Sequence, residues 1–203
     1  MSSEDRALAA HSEAAIREQA TALGMDFGTG QWSYQQLLCQ ALPDHLLLLY
    51  RGENGPGDLS LFSAAIPRSA NDRIRVIAIE RRGYSLYSPA PVNGFAMAAF
   101  NHMRAHEAQS KTADWLATAR CYAALTDPQP PAPAAKTASR HQLELNFAPT
   151  LTVDEHGQAT VRFVDTESSA PYTEWSLSFD TAGGLRNVER SPLPAYKIQP
   201  LPQ

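Results

Sequence analysis

From Leu143 to Phe179 the apolar residues fall at every second position: Leu143, Leu145, Phe147; Leu151, Val153; Ala159, Val161, Phe163; Trp175, Leu177, Phe179. Period two is the geometry of a strand, whose successive side chains point to opposite faces, so one face is apolar and the other polar. The separators "DEHGQ", "DTESSAP" and "DTAGG" supply turn chemistry between the runs. The stretch 140–203 therefore reads as an antiparallel β-meander with one apolar face. A region of roughly 64 residues buries too little on its own to be more than marginally stable. Its apolar face needs a cover, most simply from the elements that precede it.

Upstream, residues 127–139 are rich in Pro and Ala and carry no large apolar side chain. They read as an extended linker or exposed loop. The region 1–126 mixes helix and strand signals. Residues 3–23 form an amphipathic helix with Leu8, Ile16, Ala20 and Leu23 on one face, a Glu13 to Arg17 pair one turn apart, and Gly24 as its stop. "TGQWSYQQLLCQALPDH" suggests a short helix ended by Pro43. "HLLLLYR", "LSLFSAAIPR" and "RIRVIAIERRG" read as three successive strands, followed by a short extended piece in "GYSLYSPAPVNG". A helix over 94–108, with Asn93 as its cap, and a second over 113–125, with Thr112 as cap and Asp114 in its first turn, complete the region. The expected class is α+β: N-terminal helices, an antiparallel or mixed sheet with a helical pair, and the C-terminal meander, as one body or two subdomains.

Charge and hydropathy exclude several functions. The net charge is −4 over 203 residues, which leaves no basic footprint for nucleic acid. The longest apolar runs, "LLLLY" and "FAMAAF", are far short of the ~20 residues that span a bilayer as a helix. The N-terminal "MSSEDRALAAHSEAAIREQ" places acids where a signal peptide carries basic residues, as a mature exported chain would also do.

Among chemical motifs, "FNHMRAHE" is the most suggestive. It sets His102 and His106 at i,i+4 on a helix, a spacing that zinc sites use because it stacks both rings within reach of one ion. The general base of an HExxH enzyme is missing, because Glu107 follows the second histidine and lies about 100° around the helix from it. The simpler reading is a pair of histidines beside a core stripe of Phe95, Ala96, Ala99, Phe100 and Met103. A metal site would need a further ligand such as His45 or His141.

Other motifs fall short. "GYSLY" lacks the second glycine of a nucleophile elbow. "GENGPGD" lacks the GK[ST] ending of a phosphate loop, and neither it nor "DEHGQ" has the acidic pattern of a calcium loop. No cofactor is expected, and the chain reads as an enzyme less readily than as a binding protein. Trp32, Tyr34, Tyr84, Tyr87 and Tyr172 are amphipathic aromatics that either line a binding groove or cap core edges. Cys39 and Cys121 are the only cysteines. They are two buried thiols or a single bridge, and the helical wheel turns Cys121 away from Trp115.

The series "CQALPDHLLLLY", "AAIPR", "RRGYSLYSPAP", "FNHMRAHE" and "CYAAL" resembles a family of uncharacterised bacterial proteins, many of them expected to be exported. The resemblance covers about residues 30–125. It implies no activity and no catalytic residues. It does imply an oxidising compartment, periplasmic or extracellular rather than cytoplasmic, and with it a Cys39 to Cys121 bridge. The expectation is an exported, non-enzymatic binding or envelope-associated protein whose partner is an unidentified protein or small molecule. The alternative is a metal-dependent enzyme or metal-binding protein using His102 and His106.

Overall fold

The computed structural model describes residues 1–22, 32–55, 58–69, 73–83, 86–87, 94–107, 114–126, 147–165 and 173–193. Within them the chain is α+β, with three helices and two antiparallel sheets of five and four strands. It forms two compact units, Met1–Thr112 with Arg120–Pro128, and Ala113–Ala119 with Gln129–Gln203. The division thus falls within a helix. The proline-rich 127–139 stretch, Leu23, Gly24, Asn93 and Thr112 lie outside the described residues.

In the first unit, helix α1 spans Ser3–Ala22. Ser2 Oγ accepts a hydrogen bond from the Asp5 N–H at 3.0 Å, which satisfies one of the orphan donors of the first turn. Asp5, Ala9, Ser12, Ile16 and Ala20 form its buried stripe at helical spacing. Leu8, expected on that stripe, is only partly buried at its edge. The Glu13 to Arg17 ion pair forms as the spacing predicts, at 2.8 Å.

The five strands β1 (Trp32–Leu37), β2 (His45–Gly55), β3 (Asp58–Pro67), β4 (Arg75–Gly83) and β5 (Leu86–Tyr87) pair in chain order. The helix expected before Pro43 is a correction: residues 32–37 are an edge strand, paired with β2 from Trp32↔Gly52 to Leu37↔Leu47. Trp32 and Tyr34 alternate onto one face and pack on aromatic neighbours there. A pleated, half-buried surface suits aromatic residues better than a helix face does, so tertiary pairing outweighs the weak helical signal of "QQLL".

The run Leu46 to Tyr50 is buried throughout, from 0% to 4% exposed. Leu46, Leu48 and Tyr50, with Phe62, Ala64 and Ile66 of β3, pack against Ala9, Ile16 and Ala20 of α1. Leu47, Leu49, Ser63 and Ala65 point to the opposite face and are equally buried. Covering both faces explains why β2 reads as a continuous apolar run rather than an alternation. Each fully buried Leu or Ile contributes about 2 kcal/mol by removal from water.

Helix α2 spans Gly94–Glu107 and runs against β4. Its Ala99, Phe100 and Met103 are buried but belong to no part of the α1 cluster. Helix α3 spans Trp115–Thr126. Its cap is Asp114, whose Oδ1 accepts from the Ala117 N–H at 2.9 Å, so Asp114 precedes the helix rather than lying in its first turn. Phe100 meets Tyr122 edge to face, with ring centroids 5.2 Å apart. Cys121 is joined to Cys39, with Cα atoms 5.3 Å apart and a sequence separation of 82. In the chain-entropy account a closed loop of that length stabilises by about 4.5 kcal/mol. No described helix is long and apolar enough to cross a membrane.

In the second unit, β6 (Thr150–Val153), β7 (Ala159–Asp165), β8 (Thr173–Phe179) and β9 (Leu185–Pro192) form a meander in chain order. Ala159, Val161 and Phe163 lie opposite Phe179, Leu177 and Trp175 in register, and all six are buried. Trp115 packs on Phe179, centroids 5.1 Å apart. The Trp175 ring stacks on Phe163, and the Arg190 guanidinium lies 5.8 Å from its centroid. Leu151 and Val153 share this face through their partners Val161 and Ala159, yet they are 52% and 56% exposed. Burial expected from alternation therefore stops at β7. Leu143 and Leu145 lie outside the described residues, and Phe147 packs with Val164 and Leu193.

The β6–β7 and β8–β9 turns are built alike. In each an aspartate side chain, Asp154 or Asp180, accepts two backbone N–H bonds of 2.8–3.0 Å, and its own carbonyl accepts from a glycine N–H. Those glycines, Gly157 and Gly183, have φ of 78° and 84°. That left-handed region is strained for any residue with a Cβ.

Candidate functional site

The described residues bring together one set of amphipathic side chains in the first unit, on the sheet face that α1 helps to bury. Strand alternation puts Trp32 and Tyr34 of β1 on the α1 face. Trp32 is opposite Gly52 and Tyr34 is opposite Tyr50. A Cβ on Gly52 would lie 2.5 to 2.6 Å from the Trp32 ring, so only glycine lets the indole lie flat on the strand. Trp32 then reaches Phe62 at 5.5 Å between centroids, Phe62 stacks on Tyr50 at 4.7 Å and 2° between planes, and Tyr50 meets Tyr34 at 5.4 Å and 46°. The four rings form a continuous ladder from the core outward.

The ladder ends in polar groups. Tyr34 is 36% exposed. Ile16, which packs under Tyr50 and Phe62, is flanked on α1 by Glu13 and Arg17. Arg17 Nε and Nη2 both donate to Glu13 Oε1, at 3.0 and 2.8 Å. Tyr50 is only 4% exposed, and its hydroxyl has no hydrogen-bond partner among the described residues. Burial pushes its pKa well above the usual phenol value, the Glu13 carboxylate and Tyr34 push the same way, and the Arg17 cation offsets part of the rise. Tyr50 therefore stays neutral, as a hydroxyl offering one donor and two lone pairs.

A second polar feature is the Asp5 to Arg68 ion pair, 2.5 Å between Oδ1 and Nη1. The Arg68 hydrogen bond lowers the pKa of Asp5 most, against a partial rise from burial. The pair fastens the first turn of α1 to the end of β3 and is structural.

The residues singled out from sequence are distributed as follows. Trp32 and Tyr34 belong to the aromatic ladder. Tyr84 and Tyr172 lie outside the described residues, and only the backbone of Tyr87, in β5, is described. His102 and His106 stand one turn apart on α2, with His102 exposed; the side chain of His106 lies outside the described residues. His45 is buried at the start of β2, and His141 lies outside the described residues. Among the described residues no three His, Cys, Asp or Glu side chains gather as metal ligands. Cys39 and Cys121 come together as a disulfide.

Sequence reasoning missed Tyr50, Phe62 and Gly52. The signal was present in register: Leu46, Leu48 and Tyr50 alternate within an apolar run, and Phe62 ends up opposite Tyr50 once β2 and β3 form a hairpin. Comparisons with protein-family models, curated proteins and solved structures return no match to this chain.

Proposed function

We propose that this chain is an exported binding protein, held by a disulfide for an oxidising compartment, whose recognition surface is the Trp32–Tyr34–Tyr50 corner. The Cys39–Cys121 pair at 5.3 Å between Cα atoms carries the first part of this reading. Disulfides persist in secreted and periplasmic proteins and are uncommon where thiols are kept reduced. The resemblance to bacterial proteins expected to be exported points the same way. The binding part is supported by partly exposed amphipathic rings beside a buried hydroxyl that lacks a partner among the described residues, a combination typical of sites where a few polar groups orient a ligand on an apolar wall.

Fractionation of the native cells, with the protein followed by antibody and its thiols trapped by alkylation on lysis, tests the export reading. An envelope or extracellular fraction with both cysteines oxidised is the expected outcome. A cytoplasmic protein with two free thiols would overturn it.

A further inference from the structure

We propose that the corner formed by Trp32, Tyr34, Tyr50, Glu13 and Arg17 binds a neutral saccharide, with a pyranose ring seated on Tyr34 and a sugar hydroxyl bonded to Tyr50 Oη. This rests on the binding-protein reading above and names the ligand class for it. The first support is the Tyr50 hydroxyl, buried and without a partner among the described residues. Phenylalanine would stack on Phe62 and meet Tyr34 equally well without the cost of an unsatisfied polar atom. The hydroxyl is therefore a donor and acceptor with no partner among the described residues.

Charge narrows the class. The Glu13 carboxylate and the Arg17 guanidinium at this corner are bonded to each other. An anion or a cation would have to compete with a pair already formed, whereas a neutral polyol can bond to the Glu13 carboxylate without breaking that pair. Shape narrows it further. The Tyr34 and Tyr50 planes are inclined by 46°, and those of Trp32 and Phe62 by 58°, so the rings offer no parallel slot for a flat base. A chair-shaped ring needs only one aromatic face for its C–H side, while its hydroxyls project toward the phenol, carboxylate and guanidinium. Access comes from the exposed members of the set: Tyr34 at 36%, and the Arg17 and Glu13 side chains at 41% and 47%.

Isothermal titration of the full chain with chitotriose, cellotriose and maltotriose tests the assignment. The expected result is saturable binding of at least one trisaccharide, weakened about tenfold by Tyr50→Phe, as for loss of one hydrogen bond of ordinary strength. Tyr50→Phe is expected to keep or raise the thermal midpoint, which separates lost recognition from lost folding. Tyr34→Ala should weaken binding as well, and His156→Ala, in the β6–β7 turn, should leave it unchanged. Absence of binding by all three sugars to cooperatively folded protein, or undiminished affinity in Tyr50→Phe, would overturn the proposal. A native mass spectrum showing a co-purified non-carbohydrate molecule lost in Tyr50→Phe would overturn the saccharide class and leave the binding-protein reading standing.

Discussion

The two sheets solve the same burial problem differently. The five-stranded sheet has apolar side chains on both faces of β2 and β3, with Leu46 to Tyr50 buried without a gap, and its unit is closed by a disulfide over 82 positions. The four-stranded sheet has one apolar face, a polar face where Thr160 and Ser178 hydrogen-bond at 3.2 Å, and turns locked by Asp154 and Asp180. The first draws its stability from layered packing and a covalent tie. The second depends on alternation and local turn chemistry.

The sharpest way to break this contrast is to remove the tie. Replacing Cys39 and Cys121 by Ser should cost about 4.5 kcal/mol in urea unfolding, and amide exchange should report the loss in β1–β4 and the second half of α3. An equal loss across β6–β9 would erase the distinction. In the second sheet the largest effect is expected from Trp175→Ala, about 4 kcal/mol, because a fully buried indole stacked on Phe163 leaves a cavity. Exchange in β7–β9 is the readout.

Gly52→Ala returns to the first sheet. The added Cβ would meet the Trp32 ring, so the indole must swing off β2, at a cost of about 2 kcal/mol with a change in tryptophan fluorescence. Gly183→Ala should cost about 1 kcal/mol by forcing an L-residue to φ near 84°, and Gly157→Ala should match it if the two turns are equivalent.

The smallest effect is electrostatic. Burial raises the Asp180 pKa, but the Gly184 N–H, Arg186 and the Ala182 N–H together outweigh it and hold the group below the ordinary carboxylate value. Its contribution is therefore complete above about pH 4, the unfolded value, and is lost as pH falls through the lower folded value. Asp180→Asn should flatten that acid limb in pH-dependent unfolding.

The same contrast explains what the sequence made legible. Ala159, Val161 and Phe163, then Trp175, Leu177 and Phe179, were readable because a strand with one wet face alternates, and "DEHGQ" and "DTAGG" announced their turns. The exposure of Leu151 and Val153 was not, because alternation reports which face a residue joins and not where its cover ends. In the first unit the α1 stripe, the α2 and α3 helices and the three-strand order followed from periodicity. β1 did not, because six residues of edge strand carry too few apolar positions to separate from a short helix, and only pairing with β2 decides. The aromatic corner was half visible: Trp32 and Tyr34 stood out, while Tyr50 was concealed in an apolar run. The cysteine pairing followed from no spacing rule, since a sequence separation of 82 leaves it to tertiary structure.

Covalent closure of the first unit by Cys39 and Cys121 is what sets it apart from the second. Quantitative thiol labelling of the purified chain, under denaturing and non-reducing conditions with mass readout, tests this most directly. No label is expected on Cys39 or Cys121 until a reductant is added, and two labels afterwards. Full labelling of both cysteines without reductant would contradict it.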